Sequence, residues 1–285
     1  MDENTSIGAT QPCNAPIYNK EAFLKIFTLI STCILAVMAW VCFRFYFDAG
    51  SMYLAPHPVV YIFYGLIALT VITSLILCII SRDSAIPQKN KIIGYPACGC
   101  MLAIAISAML DGKLLIFILA LSTAAFFADV FKKSIIGHTL LGFVGVAWCI
   151  TTIAQTYFSN DIPINSPIKL ICQIGIALGM LTITSDIRIF LGAGRLKIHK
   201  FLSCLTCYIN FSAVCAMLAI GSSKIPDAFG NYFLPALALA LYSVWIFSAS
   251  STTIKDTADS PVDEQTAPIQ DLTDEKGQAQ YENND

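Results

Sequence analysis

Charged side chains are scarce in this chain, and histidine is rarer still. Only 13% of the 285 residues are Asp, Glu, Lys or Arg, and three are His, whereas soluble proteins carry about 25% charged residues. Apolar residues make up 56% of the chain, and the mean hydropathy is +0.69. Since one water-soluble core cannot bury this much apolar surface, the apolar solvent must be lipid. The 17 Lys+Arg are balanced by 19 Asp+Glu, so no basic excess indicates a nucleic-acid partner.

Motifs of soluble enzymes and of secreted chains are also missing. No phosphate-cradling glycine loop, HExxH pair or GxSxG elbow is present, so a nucleotide-driven pump is not expected. The first 20 residues are polar and hold Asp2 and Glu3 in place of a basic region, which is not typical of a removable signal peptide. We therefore expect residues 1–20 to form a cytoplasmic segment that leads into a permanent membrane anchor.

Apolar runs of membrane length account for most of the chain. A bilayer core about 30 Å thick needs about 20 apolar residues in a helix. The sequence predicts an all-α integral membrane protein with a bundle of eight transmembrane helices in residues 21–254, at Phe23–Phe47, Val59–Ser81, Ile92–Leu110, Leu114–Val130, Ile135–Phe158, Leu170–Leu191, Phe201–Ile220 and Tyr232–Ser250. Only Asp111-Gly112-Lys113 separates the third and fourth spans. This triplet predicts a tight helical hairpin, because charges are costly at mid-membrane.

Lys and Arg in the connections predict the orientation of the bundle. The connections after even spans carry Arg82, Lys89, Lys91, Lys132, Lys133, Arg195, Lys197 and Lys200, and those after odd spans carry Lys113, Lys169 and Lys224. Both termini are therefore expected on the cytoplasmic side of the plasma membrane. Residues 255–285 hold nine acidic side chains and little apolar surface, which predicts a disordered tail suited to recruiting a basic cytoplasmic partner.

An internal duplication is one interpretation of several repeated residues. Pairs about 110 positions apart are Trp40 and Trp148, Pro58 and Pro167, and Gly65 and Gly175. Two parallel four-helix halves, 21–134 and 135–254, would explain this offset, and such repeats often place a binding site between them. Chance is the alternative, because apolar sequence uses few residue types.

One segment carries an ordered set of features. The order is Tyr157-Phe158 at a helix end, a loop with Pro163 and Pro167, an apolar helix, and Asp186-Ile-Arg188 before a basic turn. With this order, about 70 residues from Phe126 to Arg195 resemble a group of uncharacterised multi-pass bacterial membrane proteins. The resemblance implies a membrane fold and no residue role, since the group has no function to carry over.

Asp129 and Asp186 are the main candidates for chemistry, because charges inside membranes usually serve a function. Both are expected near the cytoplasmic ends of their helices, where two carboxylates in one cavity would bind a cation or form an acid/base pair. Local pairing is the alternative. Asp129 has Lys132 and Lys133 at i+3 and i+4, and Arg188 with Asp186 suits an interfacial anchor or a contact between helices.

Two further polar groups have similar alternatives. Asn210 lies about ten residues into the seventh span and is either a contact to a solute or an interhelical hydrogen-bonding group. Arg44 has Asp48 four residues later, so an ion pair at the outer interface is expected.

Cysteine is plentiful, at 11 residues, but lies almost wholly in the apolar runs. This distribution indicates small packing residues in place of a disulfide framework. If the duplication is real, Cys98, Cys100, Cys204 and Cys207 would lie in one leaflet and could hold a soft metal. The i, i+2 spacing points the first two apart on a helix, and the three histidines add no metal-ligand spacing, so no metal or cofactor is expected.

Three functions are compatible with these features. The first is a carrier or binding protein for a small solute, the second a non-transporting sensor or scaffold that uses the acidic tail, and the third an intramembrane hydrolase that uses Asp129 and Asp186. No nucleophile–base pair is visible, so the sequence favours a protein that is not an enzyme. A closed polar pocket around both carboxylates would favour the hydrolase.

Overall fold

Eight α-helices make up the structure, a computed structural model that describes residues 18–81, 91–131, 134–160, 162–221 and 226–248. The helices are α1 Tyr18–Phe45, α2 Pro58–Ile80, α3 Lys91–Leu110, α4 Leu114–Phe127, α5 Ile135–Phe158, α6 Pro167–Phe190, α7 Leu196–Ile220 and α8 Pro226–Ser248. The prediction of an all-helical fold is confirmed. The chain divides into two units, Met1–Thr252 and Thr253–Asp285, and the predicted tail in the second unit lies outside the described residues.

Six of these helices are long and apolar enough to cross a bilayer: α1, α2, α5, α6, α7 and α8. A multi-pass membrane protein is therefore supported. The other two apolar segments are shorter, with 17 residues at Gly94–Leu110 and 14 at Leu114–Phe127, against about 20 for a full crossing. The eight-span count thus remains a prediction for α3 and α4.

Helix starts follow local capping chemistry, which moves several predicted boundaries. Pro58 and Pro167 occupy the first turns of α2 and α6, where proline loses no hydrogen bond because the first N–H groups have no helical partner. Both helices therefore begin before the predicted Val59 and Leu170. Ser134 caps α5 by accepting from the N–H of Gly137 at 3.1 Å.

The predicted hairpin between α3 and α4 is present. Gly112 adopts the left-handed φ of 70° that the tight turn requires, and Lys113 Nζ lies 2.9 Å from Asp111 Oδ2. The same end of the bundle holds Gln155, at the end of α5, and Asn231, on α8. We call it the hairpin end.

A short ribbon follows α1, where the first span was predicted to continue. The strands β1 Phe47–Asp48 and β2 Tyr53–Leu54 pair antiparallel. Asp48 accepts from the N–H of Gly50 at 3.0 Å and the hydroxyl of Ser51 at 2.7 Å, which lowers the pKa of its carboxyl, the Ser51 hydroxyl being the largest cause. In the described part of the chain Asp48 forms no ion pair with Arg44, so that expectation is wrong. The carboxylate instead closes the turn of the ribbon.

Further contacts at the hairpin end tie the loops together. Ser166 Oγ donates to the carbonyl of Met52 at 2.8 Å. Lys169, fully buried, donates from Nζ to the carbonyls of Ser159 at 2.8 Å and Ile162 at 3.1 Å. The loop between α5 and α6 is thus folded over a lysine that the sequence placed in a solvated connection.

The opposite end is defined by the starts of α1 and α7 and the ends of α2 and α8. Lys197 Nζ donates to the carbonyl of Ile79 at 3.0 Å, and Lys25 Nζ to that of Ser248 at 3.3 Å. Asp186 also lies here, near the end of α6. We call it the carboxylate end, and helix starts and helix ends alternate there along the chain.

Helix α7 is at the centre of the bundle, packed against α1, α6 and α8 and more lightly against α2. Of its 25 residues 15 are buried, whereas only four of 23 are buried in α2, whose apolar side chains are left for lipid. Helices α3, α4, α5, α6 and α8 contribute to a second apolar cluster. Within the described residues, the extensive α6–α7 packing has no counterpart of similar extent between α2 and α3. The duplication of halves 21–134 and 135–254 stays a prediction.

Candidate functional site

Asp186 is held where three helices meet at the carboxylate end. It lies in α6 and is 4% exposed. Its Oδ2 accepts a hydrogen bond from the hydroxyl of Tyr242, on α8, at 2.9 Å. Its Oδ1 lies 3.9 Å from Nε2 of His199, in the first turn of α7. Burial of a carboxylate is costly unless it is paired and hydrogen-bonded, and here an imidazole and a phenol meet both needs.

Asp129 forms a second pair of the same kind. It follows α4 with a left-handed φ of 56°, a conformation that Asp tolerates better than most residues. Its Oδ1 lies 3.7 Å from Nδ1 of His138, in the first turn of α5, and both side chains are 3% exposed. The predicted partners Lys132 and Lys133 lie outside the described residues.

An aromatic layer connects the two Asp–His pairs. Tyr242 stacks on Phe127, with ring centroids 4.2 Å apart at 14°. Phe126 lies 4.9 Å from the ring of His138 and 6.2 Å from that of Tyr242. Both carboxylates are close enough to act electrostatically on the Tyr242 hydroxyl. The pairs therefore belong to one buried layer at one end of the bundle.

The geometry suits proton transfer more than metal binding. At 3.7 and 3.9 Å each Asp–His pair is longer than a hydrogen bond, as catalytic contacts often are before substrate binds. An imidazole can both accept and donate a proton, so each pair contains the groups that proton transfer requires. Among the described residues no three His, Cys, Asp or Glu side chains converge as metal ligands would.

A surface cavity of about 520 Å³ lies beside this layer, on the turn from Gly194 to Ile198. Arg195 and Lys197 line it, and His199 follows directly in the sequence. The Asp186–His199 pair is thus one helical turn or less from a basic, open surface at the carboxylate end.

The other two predicted residues of the group lie apart from this layer. Arg188 is exposed, while Asp186 is buried two positions earlier, because residues two apart point to different faces of a helix. Asn210 is fully buried, about 16 Å along α7 from His199. Its amide nitrogen donates to the carbonyl of Gly175 at 3.0 Å, which joins α7 to α6.

The four cysteines proposed for a metal do not come together in the described chain. Cys98 and Cys100 are partly exposed on α3, which packs mainly against α4 and α8. Cys204 and Cys207 are buried in α7, against the hydroxyls of Thr28 at 3.4 Å and Thr32 at 3.5 Å on α1.

His138, His199 and Tyr242 were missed by sequence reasoning, which considered the histidines only as metal ligands. A signal for the histidines was present. Asp129 follows the end of α4 and Asp186 lies in the last turns of α6, and in both cases the next helix carries a histidine within its first turn. For Tyr242 the sequence held no signal, because its role depends on how α8 packs between α4 and α6.

Known proteins add no functional assignment to this geometry. Comparison of the chain with protein-family models, curated proteins and solved structures finds no match. The function must therefore be inferred from the Asp–His layer itself.

Proposed function

We propose that this protein is an intramembrane hydrolase that activates water at its buried Asp–His pairs. The observation that carries the proposal is the joint burial of Asp129–His138 and Asp186–His199 in one layer with Tyr242. Paired carboxylates and imidazoles in a dry environment can act as general base and general acid. The joint burial of these two pairs outweighs the sequence-based preference for a protein without enzymatic activity.

The division of roles follows from the contacts. Asp186 is fixed by the Tyr242 hydroxyl and orients the neutral imidazole of His199, which accepts a proton from the attacking water, and the carboxylate then stabilises the imidazolium that forms. Asp129 performs the same task for His138, which returns a proton to the leaving group. Each turnover leaves one extra proton on His199 and one too few on His138, so transfer of a proton from the first imidazole to the second restores both groups.

The location of the layer favours a lipid-like substrate. The layer lies within one to two turns of the helix ends, about the depth at which the ester and ether linkages of lipids meet the headgroups. The basic turn with Arg195 and Lys197 lies at the surface beside it. A substrate that enters from the bilayer would place its cleavable bond at this depth.

A solute carrier is less well supported by the described residues. Polar groups in the middle of the bundle bond to one another: Thr182 Oγ1 lies 2.7 Å from Thr206 Oγ1, and Asn210 bonds Gly175. These contacts join α6 to α7. The sensor or scaffold hypothesis depends on residues 255–285, which lie outside the described chain.

Lipid turnover in heavy-oxygen water tests the proposal. The purified protein is placed in nanodiscs with ester-linked and ether-linked lipids, and products are analysed by mass spectrometry for the incorporated oxygen. Asp129→Asn and Asp186→Asn should each lower turnover by about 100-fold or more, the range of general acid–base catalysis.

Asp111→Asn is the matched control, because Asp111 is an exposed carboxylate at the hairpin end, and it should retain full turnover. Wild-type turnover in both layer variants would contradict the proposal. Solute flux across proteoliposomes without any labelled product would instead indicate a carrier.

The orientation is proposed from the charge pattern, with the carboxylate end on the cytoplasmic side of the plasma membrane. A reporter inserted between Lys132 and Lys133 should report cytoplasm, and one beside Asn160 should report the outside. Opposite signals would invert the bundle and place the Asp–His layer in the outer leaflet.

A further inference from the structure

A second cavity, of about 370 Å³, lies at the hairpin end among α3, α4, α5 and α8. Its size falls at the lower end of the range of about 300–1,000 Å³ for small-molecule sites. Trp148 lines it, about 15 Å along α5 from His138. The cavity is therefore separate from the Asp–His layer and has no part in the proposed hydrolysis.

Trp148 gives this cavity an unusual property. The indole is 1% exposed, yet its Nε1–H has no hydrogen-bond partner among the described residues. A buried donor without an acceptor is costly, and buried polar groups in proteins are almost always bonded. An acceptor supplied from outside the chain would remove this cost.

The remaining walls describe the kind of molecule that fits. Ala108, Thr152 and Pro235 are buried and surround the indole, and Ile104, Ile116 and Leu234 are partly buried. The Thr152 hydroxyl is used within α5, where it donates to the carbonyl of Trp148 at 2.8 Å. The side chains nearest the indole are thus mostly apolar, and the Trp148 Nε1–H is the donor available among them, while the rest of the lining is polar.

The rim of the cavity is polar but carries no net charge. Asp111 and Lys113 line it and pair with each other at 2.9 Å, and Ser107, Gln155 and Asn231 complete it as exposed neutral side chains. An ionic ligand would find no unpaired opposite charge among these residues. A neutral molecule with one polar end is favoured instead.

We infer that the hairpin-end cavity is a binding site for a neutral amphipathic small molecule with a compact apolar body and a carbonyl or ether oxygen that accepts from Trp148 Nε1. The apolar body lies against Ala108 and Pro235, and the polar rim excludes charged analogues. The inference goes beyond the proposed hydrolysis and does not depend on it.

Indole NMR tests this site directly, because the chain has only three tryptophans. The protein is labelled with ¹⁵N at the indole nitrogens, placed in nanodiscs, and titrated with 4-tert-butylcyclohexanone. The Trp148 resonance, assigned as the one lost in Trp148→Phe, should shift saturably with the ketone. The hydrocarbon tert-butylcyclohexane, which has the same shape and no acceptor, should not produce that shift.

Internal controls separate binding from partitioning into lipid. Trp40 is 43% exposed on α1 and should show at most a weak, unsaturated drift. Ala108→Leu fills the inner wall and should abolish the saturable shift while the Trp148 resonance remains. Asp129→Asn, which changes the Asp–His layer at the other end of the bundle, should leave the Trp148 shift intact. The binding result and the hydrolysis result can therefore be told apart.

Three results would overturn the inference. They are a wild-type Trp148 resonance that does not respond to the ketone, an equal response to the hydrocarbon, and a ketone response that persists in Ala108→Leu. A wild-type resonance that does not respond would indicate that water alone satisfies the indole N–H. This measurement uses only the wild-type protein, so it does not depend on the folding of a variant.

Discussion

Tyr242→Phe isolates the hydrogen bond that holds Asp186. The substitution removes the hydroxyl that lies 2.9 Å from Asp186 Oδ2 and keeps the ring that stacks 4.2 Å from Phe127. A hydrogen bond to a charged group contributes about 1.5–3 kcal/mol to stability. We expect the free energy of unfolding to fall by about this amount, and lipid turnover to fall with it.

Tyr208→Phe is the matched control for this measurement. Tyr208 is also buried, but its hydroxyl bonds neutral partners, Ser74 Oγ at 2.8 Å and Thr28 Oγ1 at 3.5 Å. A neutral hydrogen bond contributes about 0.5–1.5 kcal/mol, and the 3.5 Å contact with Thr28 is too long to add much, so this variant should lose about one such bond and less stability than Tyr242→Phe. Reversible unfolding in mixed detergent and lipid, followed by circular dichroism, measures both.

A double-mutant cycle with Asp186→Asn identifies the charge as the cause. In that background the acceptor is a neutral amide, so Tyr242→Phe should cost only about 0.5–1.5 kcal/mol. Two results together would refute this reasoning. They are a loss of unfolding free energy in Tyr242→Phe no larger than that in Tyr208→Phe, and the same loss in the wild-type and Asp186→Asn backgrounds. The phenol would then not stabilise a buried charge.

Other predictions concern the packing of α6 on α7 and the ribbon after α1. A Cβ on Gly175 would lie 2.6 Å from Asn210 Oδ1, so Gly175→Ala should destabilise the protein by about 1–3 kcal/mol in the same unfolding assay. Gly65→Ala is the control and should not destabilise it, because a Cβ there has nothing within 4 Å. Asn210→Ala in the Gly175→Ala background should recover part of the lost stability, and no recovery would refute the contact. The pKa of Asp48 should lie below its usual value and rise in Ser51→Ala, as followed by carboxyl-carbon NMR. Because the folded-state pKa is lowered, the stability contributed by Asp48 should be complete above its unfolded-state pKa and lost as pH falls through the lowered value; an Asp48 titration unchanged by Ser51→Ala would contradict this.

Helix positions were predictable because they depend on local properties. Apolar length predicted the eight segments, and the charged Asp111-Gly112-Lys113 triplet predicted the hairpin, because both charges would be costly at mid-membrane. Boundaries moved where capping decides, as at Pro167, which begins α6. Asp48 was assigned to the wrong partner because its nearest donors, at Gly50 and Ser51, arise only when the chain turns into a ribbon.

The candidate site was only half predictable from the sequence. Asp129 and Asp186 were identified because charge in an apolar run is conspicuous. Their imidazole partners are polar groups near helix starts, where histidine is ordinary, and Tyr242 lies in an unremarkable apolar run. What joins these side chains is tertiary packing around α7, and periodicity along one helix carries no record of its neighbours.

The enclosed lysine at the hairpin end has a consequence for the electrical character of the folded molecule. Lys169 donates its ammonium to the carbonyls of Ser159 and Ile162, and Lys113, at the same end, is neutralised by Asp111. Neither cation presents an unshielded positive charge to its surroundings. Among the described residues the hairpin end thus exposes less lysine charge than a count of its lysines indicates, because Lys169 is enclosed and Lys113 is paired.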